Sequence, residues 1–479
     1  MRRSSQGLQR VLAWCLALLL CSAASAAEPP GRVGRLADAQ GAAWQYDADQ
    51  PGWVAAERNR PLTSGDRIAT EGDGRVEISI GSTTVRLGPV TELLISQLDD
   101  AHVHLQLVRG SMAARLRSNE AAAEFEVRTD EGRFLPQRPG HYRVDRTGLA
   151  SAGGSWTGEL RFDAPDSALT IPAGQRGEFW KDAGVTHYTW VDMPRDAFGD
   201  WAAADGRRDE PVASTRYVSP EMTGYEDLDR YGRWDTHPEY GSQWTPVRVA
   251  PGWAPYRHGR WAWMRPWGWT WVDEAPWGFA PFHYGRWLWW GGRWAWAPGA
   301  YMARPVYAPA LVGWVGGPQL SITIGSAPLV GWVPLAPHEV YYPGYPVGPG
   351  HWRHLNPHAP DRYYRPGQPP HGPVMYTNRG VPGGVTVVPA DVLRQRQPVA
   401  GGAQTVDPRL VRQFVDQKGA ARPPPEPPTV TARPAPQAGA AAPPKSPAQP
   451  PQATAAEARP KEGRRSHGVI VRDPPERPP

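Results

Sequence analysis

Residues 32–144 alternate apolar and polar positions in short runs broken by Gly, Asp and Asn. Arg75-Val76-Glu77-Ile78-Ser79-Ile80, Thr84-Val85-Arg86-Leu87 and the stretch 102–108 carry the period of two that puts one strand face inside and the other in water. Turns at Glu71-Gly72-Asp73-Gly74 and Gly81-Ser82 separate them, and 125–129, 141–145, 159–162 and 168–171 extend the pattern to about Trp190. The alternation predicts an all-β domain over 31–190. A short amphipathic helix around 196–206 reads as a connector within a linker spanning 191–230.

From 231 onward the apolar positions become tryptophan. Trp261 and Trp263, then Trp267, Trp269 and Trp271, stand two apart, so each set projects from one strand face. The run Trp287-Leu288-Trp289-Trp290-Gly291-Gly292-Arg293-Trp294-Ala295-Trp296 has a Gly-Gly turn at its centre, a hairpin signal. Gly-Arg-Trp preceded by Tyr or His starts at Tyr231, His258 and Tyr284, spaced 27 and 26 residues apart, and a second Trp follows each about ten positions on. That is a repeat, with an aromatic hairpin and a Pro-bounded connector as its unit, filling 231–345. Leu311-Val312-Gly313-Trp314-Val315 returns as Leu329-Val330-Gly331-Trp332-Val333, with Ser321-Ile322-Thr323-Ile324 between them as a strand. The Pro, His and Tyr-rich segment 346–420 reads as low in order, and 421–479 as a disordered Pro/Ala-rich tail. The predicted class is mainly β.

Two readings of the rings stand together, because 14 of the 24 Trp fall within 231–300. In one, Trp is the core of a repeat poor in aliphatic residues, with Arg233, Arg260 and Arg286 stacking on rings or pairing with Asp235, Asp273 and Glu274. In the other, Trp261, Trp263, Trp267, Trp269, Trp271, Trp287, Trp289 and Trp290 supply an exposed aromatic surface that stacks on sugar rings or peptidoglycan.

The first residues address the compartment. Arg2, Arg3 and Arg10 precede a short apolar run at 11–20, and Ala24-Ser25-Ala26 offers a cleavage site, so 1–26 reads as a signal peptide. The run is too short for a membrane span. Both cysteines, Cys15 and Cys21, lie in that segment, which leaves the mature chain without disulfide, thiolate site or cysteine nucleophile. The expected product is periplasmic or secreted, with no membrane span after signal removal. A net charge of +5 spread over 52 basic and 47 acidic residues gathers into no basic block, so nucleic acid is not an expected partner.

Catalytic grammar is absent from the sequence: there is no nucleophile elbow, phosphate-cradling loop or His-Glu-x-x-His. No cofactor is expected. His102 with His104, and His351 with His354 and His358, are better read as solvated or adventitious than as metal sites. Pro349, Pro357 and Pro360 argue against a regular helix under the second group.

Two stretches resemble known families. Leu62-Thr63-Ser64-Gly65-Asp66-Arg67-Ile68-Ala69-Thr70, Arg75-Val76-Glu77-Ile78, Val85-Arg86-Leu87-Gly88-Pro89 and Leu107-Val108-Arg109-Gly110 resemble, in this order, a FecR-type domain over about 31–146. The resemblance implies an extracytoplasmic β domain of the kind found in regulators that relay a surface signal to a sigma factor. The cytoplasmic helical segment and membrane helix of such regulators have no counterpart here. Residues 196–309 are similar to a Trp-rich domain of unknown function that follows FecR-like domains in exported bacterial proteins. The shared words are Gly224-Tyr225-Glu226-Asp227-Leu228, Tyr231-Gly232-Arg233-Trp234, Gly252-Trp253-Ala254-Pro255-Tyr256, Trp267-Gly268-Trp269-Thr270-Trp271 and Trp277-Gly278-Phe279-Ala280-Pro281.

The expected function is a non-catalytic exported binding or scaffold protein that contacts a cell-envelope polymer or another envelope protein. The alternative is a periplasmic signalling accessory.

Overall fold

The computed structural model describes residues 28–47, 52–204, 213–315, 329–364 and 375–403, with two-residue pieces at 424–425 and 468–469. The expected signal peptide at 1–26, the strand at 321–324 and nearly all of the 421–479 tail lie outside the described residues. The chain is mainly β, as its alternation predicts. No helix among the described residues is long and apolar enough to cross a membrane.

Residues 34–191 form two sheets that share one long strand, Val103–Leu116. In the first sheet the order is Pro61–Leu62, Gly34–Gln40, Arg75–Ile80, Thr83–Leu87, the shared strand, Gly140–Thr147, Ala150–Thr157, Arg176–Asp182 and Val185–Val191. In the second it is Gly52–Ala55, Ala43–Asp47, Arg67–Thr70, Glu92–Leu98, the shared strand, Phe125–Arg128, Arg133–Pro136, Leu160–Ala164 and Ser167–Ile171. The shared strand changes sheet near Gly110, whose φ is +91°. A Cβ there would lie 2.4 Å from the Thr91 hydroxyl, so only glycine allows this bend. Alternating inward residues such as Ile78, Val85, Leu93, Leu105 and Leu107 are buried between the sheets, which is what the period of two requires.

The connector helix forms at Ala197–Ala204 and docks on the sandwich, with Phe198 and Ala202 buried against Ala113. Residues 213–231, expected as linker, instead belong to the second domain. They form short helical turns, and Val218, Met222, Tyr225 and Leu228 enter its core. The apolar spacing there was too short to register as an amphipathic helix.

The repeat folds as three hairpins: Gly232–His237 with Gly241–Pro246, Gly259–Met264 with Gly268–Asp273, and Arg286–Trp290 with Arg293–Ala297. The first and third join into a four-stranded sheet through Trp244 and Trp296, while the second stands alone. Both turn glycines of the third hairpin have positive φ, +55° at Gly291 and +75° at Gly292, the backbone of a two-residue turn that matches strand twist. The Leu-Val-Gly-Trp-Val echo is a strand pair, Val312–Val315 against Leu329–Pro334, with Trp314 opposite Trp332.

The segment 346–420, expected to be low in order, is folded over much of its described length. Thr386–Pro389 adds a third strand beside Leu329–Pro334. Pro349–Leu355 is a helix that buries Trp352. Its proline sits at the first helical position, where the missing N–H costs nothing and the fixed φ helps, and Pro357 lies beyond its end. Proline therefore bounds this helix instead of breaking it.

The sandwich and the aromatic domain are joined by buried polar contacts. Arg35 on the first strand of the sandwich is 1% exposed. It donates to the Asn59 Oδ1 at 3.0 Å and to the Pro276 carbonyl at 2.6 Å, pairs with Asp227 at 2.5 Å, and lies over the Phe279 ring. Asn59 donates in turn to the carbonyls of Asp273 and Ala275. Thr223 donates to the Val33 carbonyl and accepts from the Gly81 amide.

The tryptophan core and a candidate binding cleft

The grammar of the repeat is cross-strand pairing. The Trp of each Gly-Arg-Trp faces the second Trp of its unit: Trp234 opposite Trp244, Trp261 opposite Trp271, Trp287 opposite Trp296. Two three-residue turns give the spacing of ten, and the two-residue Gly-Gly turn gives nine. The leading glycine is where the partner ring lies. A Cβ on Gly232 would fall 2.1 Å from the Trp244 indole, and one on Gly259 or Gly285 2.7 Å from Trp271 or Trp296.

Burial separates the eight candidate surface rings. Trp261, Trp267, Trp269, Trp271 and Trp287 are buried in the main aromatic cluster, Trp263 and Trp289 are half-buried, and Trp290 is 42% exposed. Of these, Trp261, Trp267, Trp271 and Trp287 cannot stack on a ligand without opening the core. Trp267 lies in a turn and packs edge-on against Tyr307 at 5.0 Å. Trp261 sits among Trp271, Trp314 and Trp332.

Two of the repeat arginines reach beyond the carboxylates of their own segment. Arg260 pairs with Glu57 of the sandwich, and Arg286 donates to the carbonyls of Gly285, Glu339 and Leu355. Burial lowers the Arg286 guanidinium to about 10. Asp273 accepts from the Trp271 indole and the Ala275 amide.

Burial also pushes the Asp273 carboxyl up to about 8, against the hydrogen bonds it accepts. An unfolded aspartate titrates near ~3.9, so the folded chain holds this proton more tightly. Its stabilisation is complete at acid pH and is lost as pH rises from about 4 to about 8. Urea unfolding of wild type should weaken over that window relative to Asp273→Asn, which stays neutral; parallel curves would rule the linkage out.

A cleft of about 450 Å³ opens in the aromatic domain, lined by Tyr217, Tyr240, Tyr284, Tyr301, His338 and His358 among others. A sequence of ring contacts runs from outside the cleft to three residues of its lining, Tyr240, His338 and His358. Trp290 meets His237 at 4.2 Å, His237 stacks on Tyr240 at 4.6 Å, Tyr240 meets His338 edge-on at 5.4 Å, and His338 lies 4.6 Å from His358. Tyr301 is 60% exposed at the opening. His338 has a φ of +68°, a conformation uncommon outside glycine and found where a site fixes a side chain. Polar groups at the same cleft include Glu239, Glu339 and Asn356.

Of the three histidines in 351–358, only His358 joins this file. His351 is buried 3.7 Å from Glu28, and the His354 ring hydrogen-bonds the Gly350 carbonyl. His102, just before the shared strand, and His104 on its outer face lie ring to ring at 5.0 Å. No group of three His, Cys, Asp or Glu with metal-binding geometry occurs among the described residues.

The geometry defines a β sandwich carrying an aromatic hairpin domain with a ring-lined cleft. A family of unknown function (DUF6600) matches residues 225–339, which span the hairpins and the His338 corner. No curated protein matches the chain. Among solved structures it is similar to two of a "putative anti-sigma factor" from Parabacteroides distasonis, at 15% and 16% identity with TM-scores of 0.24 and 0.23. In each case 26% of this chain aligns, and it spans 60% of the other chain.

Proposed function

We propose that the chain is a non-catalytic binding protein of the cell envelope, exported by its 1–26 segment, that holds a saccharide chain in the cleft between Tyr240, Tyr301 and the His338–His358 pair. The supporting observation is the file of rings from Trp290 to His358 leading into a cleft with polar ends. Flat rings match the C–H face of a sugar, and the exposed Glu239 can hydrogen-bond its hydroxyls. None of the eight tryptophans in the sequence-based surface lines the cleft; Trp290, 42% exposed, connects to it through His237 and Tyr240. The signalling alternative is carried by the motif resemblance over 31–146 and gains no support from the cleft.

Retention on peptidoglycan and titration with soluble envelope oligosaccharides test the reading. A Tyr240→Ala/His338→Ala variant should bind at least about tenfold more weakly at an unchanged melting temperature, since two stacked contacts worth about 1 kcal/mol each are lost. Equal retention of the two proteins would remove the cleft from consideration.

A further inference from the structure

One ring of the repeat is engaged by the chain's own C-terminal region. The Trp269 indole N–H donates to the Pro424 carbonyl at 3.0 Å, across 155 residues of sequence. Pro424 and Pro425 belong to the run Arg422-Pro423-Pro424-Pro425-Glu426-Pro427-Pro428. Consecutive prolines hold the backbone in the polyproline II helix, which makes no internal hydrogen bonds and so presents its carbonyls outward. Indole N–H is a donor only, and its pairing with an outward proline carbonyl on an aromatic surface is the chemistry by which proline-rich segments are recognised.

The receptor is built for such a ligand. Trp263 and Trp269 face each other across the second hairpin, edge to face at 5.6 Å and 86°, so the ring that donates to Pro424 is backed by a second ring. The Trp263 ring lies over Gly268, where a Cβ would come within 3.2 Å of it and where φ is +85°, so this ring pair depends on that glycine. The tether is also short. Val399–Gly402 packs against the strand Gly259–Met264 of the same hairpin, and about 20 residues separate Ala403 from Pro424.

We infer that the Trp263–Trp269 face is a polyproline-binding site, occupied in cis by Pro424-Pro425. A connection of about 20 residues gives an effective concentration of about 1 mM, so a segment with an intrinsic Kd of about 100 µM stays docked about tenfold more often than free. The site is separate from the cleft proposed for saccharide and does not depend on it.

The test uses the full mature chain and a fluorescent peptide of residues 419–430. In a chain carrying Pro423→Gly, Pro424→Ser and Pro425→Gly, the peptide should bind saturably and at least tenfold more tightly than to wild type, whose site is already filled. Adding Trp269→Phe to that background keeps a ring but removes the donor, and should weaken binding about fivefold, the value of one hydrogen bond. A peptide with its prolines replaced by alanine should not bind. A wild-type melting temperature of the tail variant verifies its fold. Equal peptide binding by wild type and the tail variant, or none by a tail variant that melts as wild type, would overturn the assignment.

Discussion

Arg35→Met is expected to cost about 3 kcal/mol and to split one cooperative thermal transition into two, as seen by calorimetry. Arg35 is buried where the sandwich meets the aromatic domain, and its donors serve both. Removing the guanidinium leaves the Pro276 carbonyl and the Asn59 amide oxygen without this donor, and Asp227 without its partner cation. Orphaning a buried ion pair costs about 3–5 kcal/mol, and the lower end applies because Asp227 keeps some contact with water. Lysine should not rescue the variant, since a single ammonium cannot reproduce a fork that reaches Asn59, Pro276 and Asp227 at once. A variant that still melts in one transition within about 0.5 kcal/mol of wild type, the scatter of a surface change, would show that the two domains are held together elsewhere.

This joint is also where the sequence says least. Period-two alternation located the strands of the sandwich because each needs one face in the core and one in water, as in Arg75–Ile80. The hairpins were legible for the same local reason, together with the Gly-Gly turn and the ten-residue spacing of tryptophans. Which face of a hairpin is inside cannot be read that way. Every residue of Gly268–Asp273 is buried, so Trp269 and Trp271 are enclosed alongside the Thr270 and Val272 of the opposite face. Long-range pairs such as Arg260 with Glu57, 203 residues apart, leave no local trace.

The cleft was hidden for the same reason. Tyr217, Tyr240, Tyr301, His338 and His358 come from separate segments that meet only when the four-stranded sheet and the Pro349–Leu355 helix are in place. His338 carries no neighbouring glycine or motif to announce its positive φ. The tryptophans drew attention by number, yet most of them form the frame, and tyrosine and histidine line the opening. A ring that must remain accessible to water and ligand benefits from a polar atom at its edge, whereas the frame needs area.

That division predicts the second large effect. Trp271→Ala is expected to lose about 3–5 kcal/mol, the cost of truncating a large buried aromatic side chain. The ring touches Trp261, Tyr256 and Phe282 at once, and its indole hydrogen bond to Asp273 goes with it. The complementary change is Gly259→Ala, which adds a methyl where the Trp271 ring and the Val272 carbonyl already lie within 2.7 Å. Overpacking of this kind costs about 1–3 kcal/mol. Because both substitutions strike one contact, the loss in Gly259→Ala/Trp271→Ala should fall short of the sum of the single losses: with the indole gone, the new methyl has room on that side. Chemical denaturation of the four proteins measures this directly. Strict additivity would mean that glycine heads each repeat for some reason other than the ring laid across it, and the shared rule behind Gly232, Gly259 and Gly285 would fail.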